Sequence, residues 1–241
     1  MDHYLVAGKT ILSKGDTVSQ LVLLLAFRTN CAILTVKGDN NTHLRLVNMK
    51  KGFLKTILRS NQTVFTFQDL LLMWDGIAVE TARKRVNYYV QSGNLYPIRR
   101  GIYAKDRNYD RFELATKIFT PAYISFETVL GNAGVTFQYY STIFVASYQT
   151  KEIVADGQKF AFSTLKGPLL TNASGVENKA TYAIATPERA FLDRVYLSRN
   201  YHFDNLSVLN WDKVEEILPA YGENKDMRQR VDQYYQSARE P

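Results

Sequence analysis

TFQDLLLMWDGIAVETARKRVNYYVQSGNLYPIRRGIYA, Thr66 to Ala104, is the stretch on which the fold turns. Thr66-Phe67-Gln68-Asp69 has the composition of a capping box, in which the threonine hydroxyl accepts from a backbone N–H and the acid reaches back to the cap. Phe65 before it and Leu70 after it are spaced to form a hydrophobic staple. Leu70, Leu71, Met73 and Trp74 make the helix that follows short and heavily buried, and Asp75-Gly76 ends it. Another helix is expected from about Val79 to Ser92, stopped by Gly93 in a left-handed cap. Val79, Ala82, Val86, Tyr89 and Val90 recur at the spacing of a packed stripe. Glu80, Thr81, Lys84, Asn87, Tyr88 and Gln91 fall on the other face, with Arg83 and Arg85 at its flanks. Leu95 to Arg99 and Ile102-Tyr103-Ala104 read as strands around the turn Arg99-Arg100-Gly101, a hairpin with two arginines at its tip.

Working outward, Phe53, Leu54, Ile57 and Leu58 recur at helical spacing and predict a helix from about Lys50 to Arg59. Val64-Phe65 reads as a short strand. The order helix, strand, helix, turn, helix, basic-tipped hairpin is that of a winged helix-turn-helix, assigned to residues 49–107. Residues 1–48 are a poorly defined N-terminal extension. Two β-like stretches in it, Ala32 to Val36 and Leu44 to Val47, flank the turn Lys37-Gly38-Asp39-Asn40-Asn41. Two readings stand for this extension: sequence upstream of a natural start at Met49, or a genuine accessory arm.

Residues 108–241 form a second, mixed α+β unit, so the whole chain is α+β. Phe112, Ala115, Ile118 and Phe119 predict a helix ended by Pro121. Tyr123 to Ser125 leads into a short helix closing near Gly131. Strands are expected at Ser141 to Ser147, Glu152 to Ala155 and Lys159 to Thr164, the last two joined by an Asp156-Gly157 turn, and at Tyr182 to Ala185. Thr186-Pro187-Glu188 combines a cap, a proline at the first helical position and an acid in the first turn. It starts a helix to about Leu197 that buries Phe191, Leu192 and Val195. Asn210 is placed to cap a helix ending before Pro219, and Lys225 to Gln236 is a polar terminal helix.

Composition narrows the function. Of 241 residues, 30 are Lys or Arg and 23 are Asp or Glu, and 46% are hydrophobic, enough to bury a core. The net charge of +7 is uneven: +2 over residues 1–48, +7 over 49–107 and −2 over 108–241. A cationic block beside a slightly acidic unit suggests a polyanion-binding module joined to a domain with another task. One cysteine, Cys31, and three scattered histidines, His3, His43 and His202, argue against a metal site. The longest apolar run, Leu21 to Phe27, is too short to span a bilayer and has no cleavage pattern after it, which reads as cytoplasmic with no membrane partner.

No Gly-rich phosphate loop, G-x-S-x-G elbow or H-E-x-x-H occurs, so neither enzyme activity nor a cofactor is expected. Asp156 and Lys159 offer a weak nuclease reading, against which Asp156-Gly157 as a plain turn is preferred. Glu188 and Asp193 do not share a helix face and read as a capping acid and a surface or salt-bridged acid. Tyr139-Tyr140 and Tyr234-Tyr235 suit either an aromatic contact surface or packing.

Double-stranded DNA is the partner these residues fit. Lys84 can donate to guanine, Asn87 can pair with adenine, and Thr81 and Tyr88 lie about one turn away on the same face. Arg83 and Arg85 are placed for phosphates, Arg99 and Arg100 for the backbone or adjacent minor groove. Thr66 and the helix start after it could offer backbone N–H groups to phosphate.

Thr66-Phe67-Gln68-Asp69-Leu70, Gly93-Asn94-Leu95 and Arg99-Arg100-Gly101-Ile102-Tyr103, in that order, resemble the AbiEi family of antitoxins, transcriptional regulators of abortive-infection toxin–antitoxin loci. Pro121-Ala122-Tyr123-Ile124-Ser125-Phe126-Glu127 and Ala185-Thr186-Pro187-Glu188-Arg189-Ala190-Phe191-Leu192-Asp193 are similar to that family's C-terminal part. The resemblance covers about residues 50–200. It implies a winged helix that binds inverted repeats in its own promoter and represses the operon, and a C-terminal domain that opposes a cognate nucleotidyltransferase toxin encoded nearby. No toxin-binding residue follows from it. The alternative is a stand-alone winged-helix transcription factor with a ligand-sensing or dimerising C-terminal domain.

Overall fold

The computed structural model describes the backbone of residues 32–38 and 41–47, and backbone and side chains of residues 52–222 and 224–239. Met49, Lys50 and the question of a natural start lie outside the described residues. The chain divides into two compact units, residues 1–58 and 59–241.

In the first unit, β1 (Ala32–Gly38) and β2 (Asn41–Val47) pair antiparallel, with Gly38 opposite Asn41. Both strands run further into the Lys37–Asn41 segment than the sequence suggests. Helix α1 (Gly52–Arg59) follows, within the expected span.

The second unit begins with β3 (Val64–Thr66) and α2 (Phe67–Met73). The capping box is present as read: the Thr66 hydroxyl accepts from the Asp69 N–H at 3.1 Å, and the Asp69 carboxylate accepts from the Thr66 N–H at 2.8 Å. Phe65 and Leu70, the staple pair, are both buried. The helix is less buried than its composition suggests, since Leu72 is 71% exposed and only Leu70 and the capping Trp74 are fully enclosed. With a helix this short, one face meets the core and the side chain opposite it points to water.

Helix α3 (Val79–Gln91) ends with Gly93 at φ 72°, the left-handed cap expected. Its buried stripe is Ala82, Arg85, Val86 and Tyr89 rather than one beginning at Val79, which is 46% exposed. Trp74 meets Tyr89 edge-on at 6.2 Å between centroids. Strands β4 (Tyr96–Arg99) and β5 (Ile102–Ala104) form the hairpin, closed through Gly101 at φ 79°. A three-stranded sheet results, in the order β3-β5-β4.

Helix α4 (Arg111–Ile118) starts at Asp110, whose carboxylate accepts from the N–H groups of Phe112 and Glu113. After it come β6 (Ala122–Ile124), α5 (Glu127–Asn132), β7 (Ile143–Ser147), β8 (Lys151–Ala155), β9 (Gln158–Thr164) and α6 (Gly167–Leu170). The chain closes with β10 (Val176–Asn178), β11 (Ala183–Ala185), α7 (Pro187–Leu197), α8 (Trp211–Ile217), a 3₁₀ turn at Leu218–Tyr221 and α9 (Lys225–Ser237). Six strands make one mixed sheet in the order β10-β11-β6-β7-β9-β8, with β11–β6 and β7–β9 parallel. The fold is therefore α+β. The short strand β10 and helix α6 had no periodic signal.

Alternation along the strands assigns the faces. Tyr123 in β6 bonds Asp193 of α7, so α7 covers that face. Phe162 in β9 packs against Phe119 just after α4, at 4.7 Å, so the α4 end covers the other. The core is continuous across position 107: Val64, Ile102 and Ala104 belong to one buried cluster with Leu114, Ile124, Val145, Phe191 and Val231.

At the centre lies a polar knot. Arg189 and Asp193, one turn apart on α7, are fully buried and pair at 3.2 Å. The Asp193 carboxylate accepts further bonds from Tyr221 at 2.6 Å, Ser125 at 2.7 Å and Tyr123 at 3.0 Å, which fills its acceptor capacity. Arg189 also donates to the carbonyl oxygens of Ser174 and Leu169 and to the Tyr123 hydroxyl. Asp193 is thus salt-bridged as expected but not on the surface. Glu188 is likewise buried, and accepts from the backbone N–H of Asn210, so it anchors the start of α8.

Gly175 supports this knot from the side. Its φ is +71°, and a Cβ there would lie 2.6 Å from Ile217 Cδ1 and 2.8 Å from Arg189 Cβ. Gly175→Ala therefore combines a left-handed backbone with overpacking and should cost at least about 2 kcal/mol. A denaturant midpoint within error of the parent's, at equal slope, would refute the close approach.

Candidate nucleic-acid interface

Helix α3 has one face in the core and one in solvent. Glu80, Arg83, Lys84, Asn87, Tyr88 and Gln91 are exposed and Thr81 is half-buried. Tyr88 leans on Tyr89 with 5.9 Å between ring centroids while keeping an exposed edge. The face is as the spacing predicts, with one correction: Arg85 is only 7% exposed. It lies between Ala82 and Val86 on the buried stripe, because positions 82, 85, 86 and 89 fall on one side of an α-helix. Arg85 is therefore absent from the outward set.

Three features meet around Phe67, the first residue of α2. Its N–H donates to the carbonyl of Gly101 at the hairpin tip, at 2.8 Å. Its ring lies under the Arg83 guanidinium at 5.8 Å. The tip carrying Arg99 and Arg100, the start of α2 and the flank of α3 are thereby gathered at one place. Arg83 also approaches Glu80 at 3.9 Å, an exposed pair that contributes little to stability. Arg99 and Arg100 are exposed, and among the described residues neither they nor Lys84 form an ion pair.

Thr66 sits beneath this junction rather than in the outward set. Its backbone N–H donates to the Asp69 carboxylate at 2.8 Å, and the next backbone N–H, of Phe67, donates to the Gly101 carbonyl. Both groups expected at a phosphate are engaged within the fold. Their role is to fix α2 to the hairpin.

Asp69 extends the tie to α4 through Lys117 at 2.7 Å. Burial pushes the Asp69 carboxyl up, but the Lys117 ammonium and the Thr66 donors outweigh it and hold the group below its usual value of 3.8. A depressed carboxyl stabilises the fold above its unfolded value and loses that contribution as pH falls through the folded one. The stability gap between the parent and Asp69→Asn should thus be present at neutral pH and close in acid, below about pH 4. A gap that persists unchanged to pH 2 would contradict the ionised pair.

Asp156, the residue on which the weak nuclease reading turns, is bound within the fold. Asp156 is held by Tyr96 and Tyr109, at 2.9 and 3.0 Å, and no group of three or more potential metal ligands occurs among the described residues. No helix among the described residues is long and apolar enough to cross a membrane.

The aromatic pairs divide. Tyr139 is 89% exposed, whereas Tyr234 packs against Phe191 and Phe203 and donates to the Tyr201 carbonyl. Tyr140, beside Phe144, lines a cavity of about 330 Å³ on the β7–β9–β8 surface, with the Glu127–Arg194 ion pair in its wall. Sequence reasoning missed this pair because its partners lie 67 positions apart. No protein-family model matches the chain, and no curated protein matches it.

Proposed function

We propose that residues 49–107 act as a winged helix-turn-helix on double-stranded DNA, with α3 as the recognition helix and the β4–β5 hairpin as the wing. The observation that carries this reading is the convergence at Phe67 of the α3 flank and the arginine-bearing tip. A recognition helix presents base-reading side chains from its exposed face while cations beside it hold the phosphate backbone. Lys84, Asn87, Thr81 and Tyr88 are the base-facing set, and Arg83, Arg99 and Arg100 the phosphate set. Arg85 has no part in it.

The resemblance to AbiEi antitoxins extends the proposal: the chain represses its own operon through inverted repeats and opposes a nucleotidyltransferase toxin encoded nearby. Enrichment of bound sequences from a random duplex pool tests the first half. Inverted half-sites should emerge, and no enrichment over an α3-face variant overturns it. Co-expression with the adjacent gene tests the second, by growth rescue.

One observation favours a second reading, a transcription factor with a ligand-sensing C-terminal domain. The cavity beside Tyr140 brings the rings of Tyr140, Phe144 and Phe162 together with the partly buried Glu127–Arg194 ion pair, a mix of aromatic and charged groups suited to a small polar molecule. Failure of growth rescue, with DNA binding intact, would favour it.

A further inference from the structure

Asp156 and Gly157 join β8 to β9 with φ of 48° and 75°, the left-handed pair of a two-residue hairpin turn. Such a turn requires a residue that tolerates this conformation, which asparagine or glycine would satisfy equally. The carboxylate does something more. One oxygen accepts from the Tyr96 hydroxyl at 2.9 Å and the other from the Tyr109 hydroxyl at 3.0 Å.

Tyr96 opens β4, an outer strand of the three-stranded sheet, with a sheet partner on one side only. Tyr109 lies beyond β5, on the segment that returns the chain to α4. The two tyrosines thus flank the root of the hairpin in sequence, and one side chain from the six-stranded sheet holds both. Neighbouring contacts reinforce the hold: the Arg107 guanidinium lies 5.3 Å from the Tyr96 ring centroid, and Arg111 donates to Gln158 at 3.2 Å. Tyr109 is buried and its hydroxyl is pushed up to about 12, first by burial and then by its bond to Asp156.

We infer that Asp156 is a positioning residue for DNA binding, bracing the wing from the C-terminal sheet so that Arg99 and Arg100 are held where the phosphate backbone passes. The inference rests on the reading of the β4–β5 hairpin as a wing. Asp156 itself touches no DNA. Its effect is on the fraction of time the wing is correctly placed, and apparent affinity falls in proportion to that fraction. The brace also gives the C-terminal part a route to the DNA-binding part, since anything that shifts the β8–β9 turn releases the wing.

Asp156→Gly tests this, because glycine keeps the turn and removes the carboxylate. A Tyr96→Phe/Tyr109→Phe double variant removes the same two bonds from the other end. Affinity is read by fluorescence anisotropy on the duplex selected by the parent, and wing order by amide hydrogen exchange of residues 96–104 in the free protein. Both variants should lose about tenfold in affinity, as for a wing correctly placed about a tenth of the time. The selected sites should stay those of the parent and the thermal midpoint should fall by only a few degrees, as for the loss of one or two hydrogen bonds, while wing amides exchange faster. Asp156→Asn, which keeps one acceptor oxygen, should fall between. If the parent binds duplex and both variants bind equally well, the brace is overturned and the DNA-binding reading survives. A parent that binds no duplex overturns both.

Discussion

Arg189→Met should destabilise the protein by about 3–5 kcal/mol, the cost of leaving a buried carboxylate without its counter-charge. Asp193 has no exposure, and among the described residues Arg189 is its one cationic partner. Burial pushes the Asp193 carboxyl up, while Arg189 and the hydroxyls of Tyr221, Ser125 and Tyr123 oppose that rise. Removing the guanidinium deletes the strongest opposing influence and also leaves the carbonyl oxygens of Ser174 and Leu169 without that donor. Methionine fills part of the volume, so the loss reports charge and hydrogen bonding more than a cavity. A buried pair need not add net stability over an apolar one. The Arg189→Met/Asp193→Leu double variant should therefore recover a sizeable share of the loss, giving a large coupling energy in a double-mutant cycle. Urea unfolding of the four proteins measures it. A single-variant loss under about 1 kcal/mol would mean the carboxyl is neutral in the native state and the ion pair is not what fixes α7.

The second large effect is on DNA. Arg99→Ala/Arg100→Ala should flatten the salt dependence of binding by about one to two units of slope, since each phosphate contact contributes about 0.9. If the salt-dependent part vanishes near 1 M, affinity should fall by roughly tenfold per contact at about 0.1 M. The selected sequence should not change, because phosphate contacts carry no base information directly. Lys84→Ala or Asn87→Ala should behave oppositely, altering base preference at a cost of about 1–3 kcal/mol at the matching position. Arg85→Ala should leave the salt slope alone and act on stability instead, because Arg85 lies within the buried stripe of α3. Titrations at two salt concentrations separate the three classes. A wing variant with an unchanged slope would remove the wing from the interface, and unchanged base preference in both α3 variants would remove its face.

Local chemistry made much of the fold legible. The capping box at Thr66, the Gly93 cap, the Asp156-Gly157 turn and the Thr186-Pro187 helix start all stand where the sequence places them. Each is an interaction among residues within about four positions, so nothing distant is needed to read it. The outward face of α3 was readable for the same reason, being a matter of helical period. Strand β10 and helix α6 escaped notice, since three or four residues are too few to show a period.

Tertiary structure alone decided the rest. Periodicity names the two sides of a helix but not how wide the buried side is, and so it left Val79 inside and Arg85 outside. The Arg189–Asp193 knot draws on Ser125, Tyr123 and Tyr221, from 28 to 70 positions away from Asp193. The tie between Asp156 and Tyr96 spans 60 positions. Such contacts depend on which strands become neighbours, and that order follows from how the whole chain buries its apolar surface. The sequence by itself determined the longer elements, the helix ends set by local caps and the exposed basic face of α3. Only the packed sheet determined which charges went inside, and why the hairpin beside that face is held from the far half of the chain.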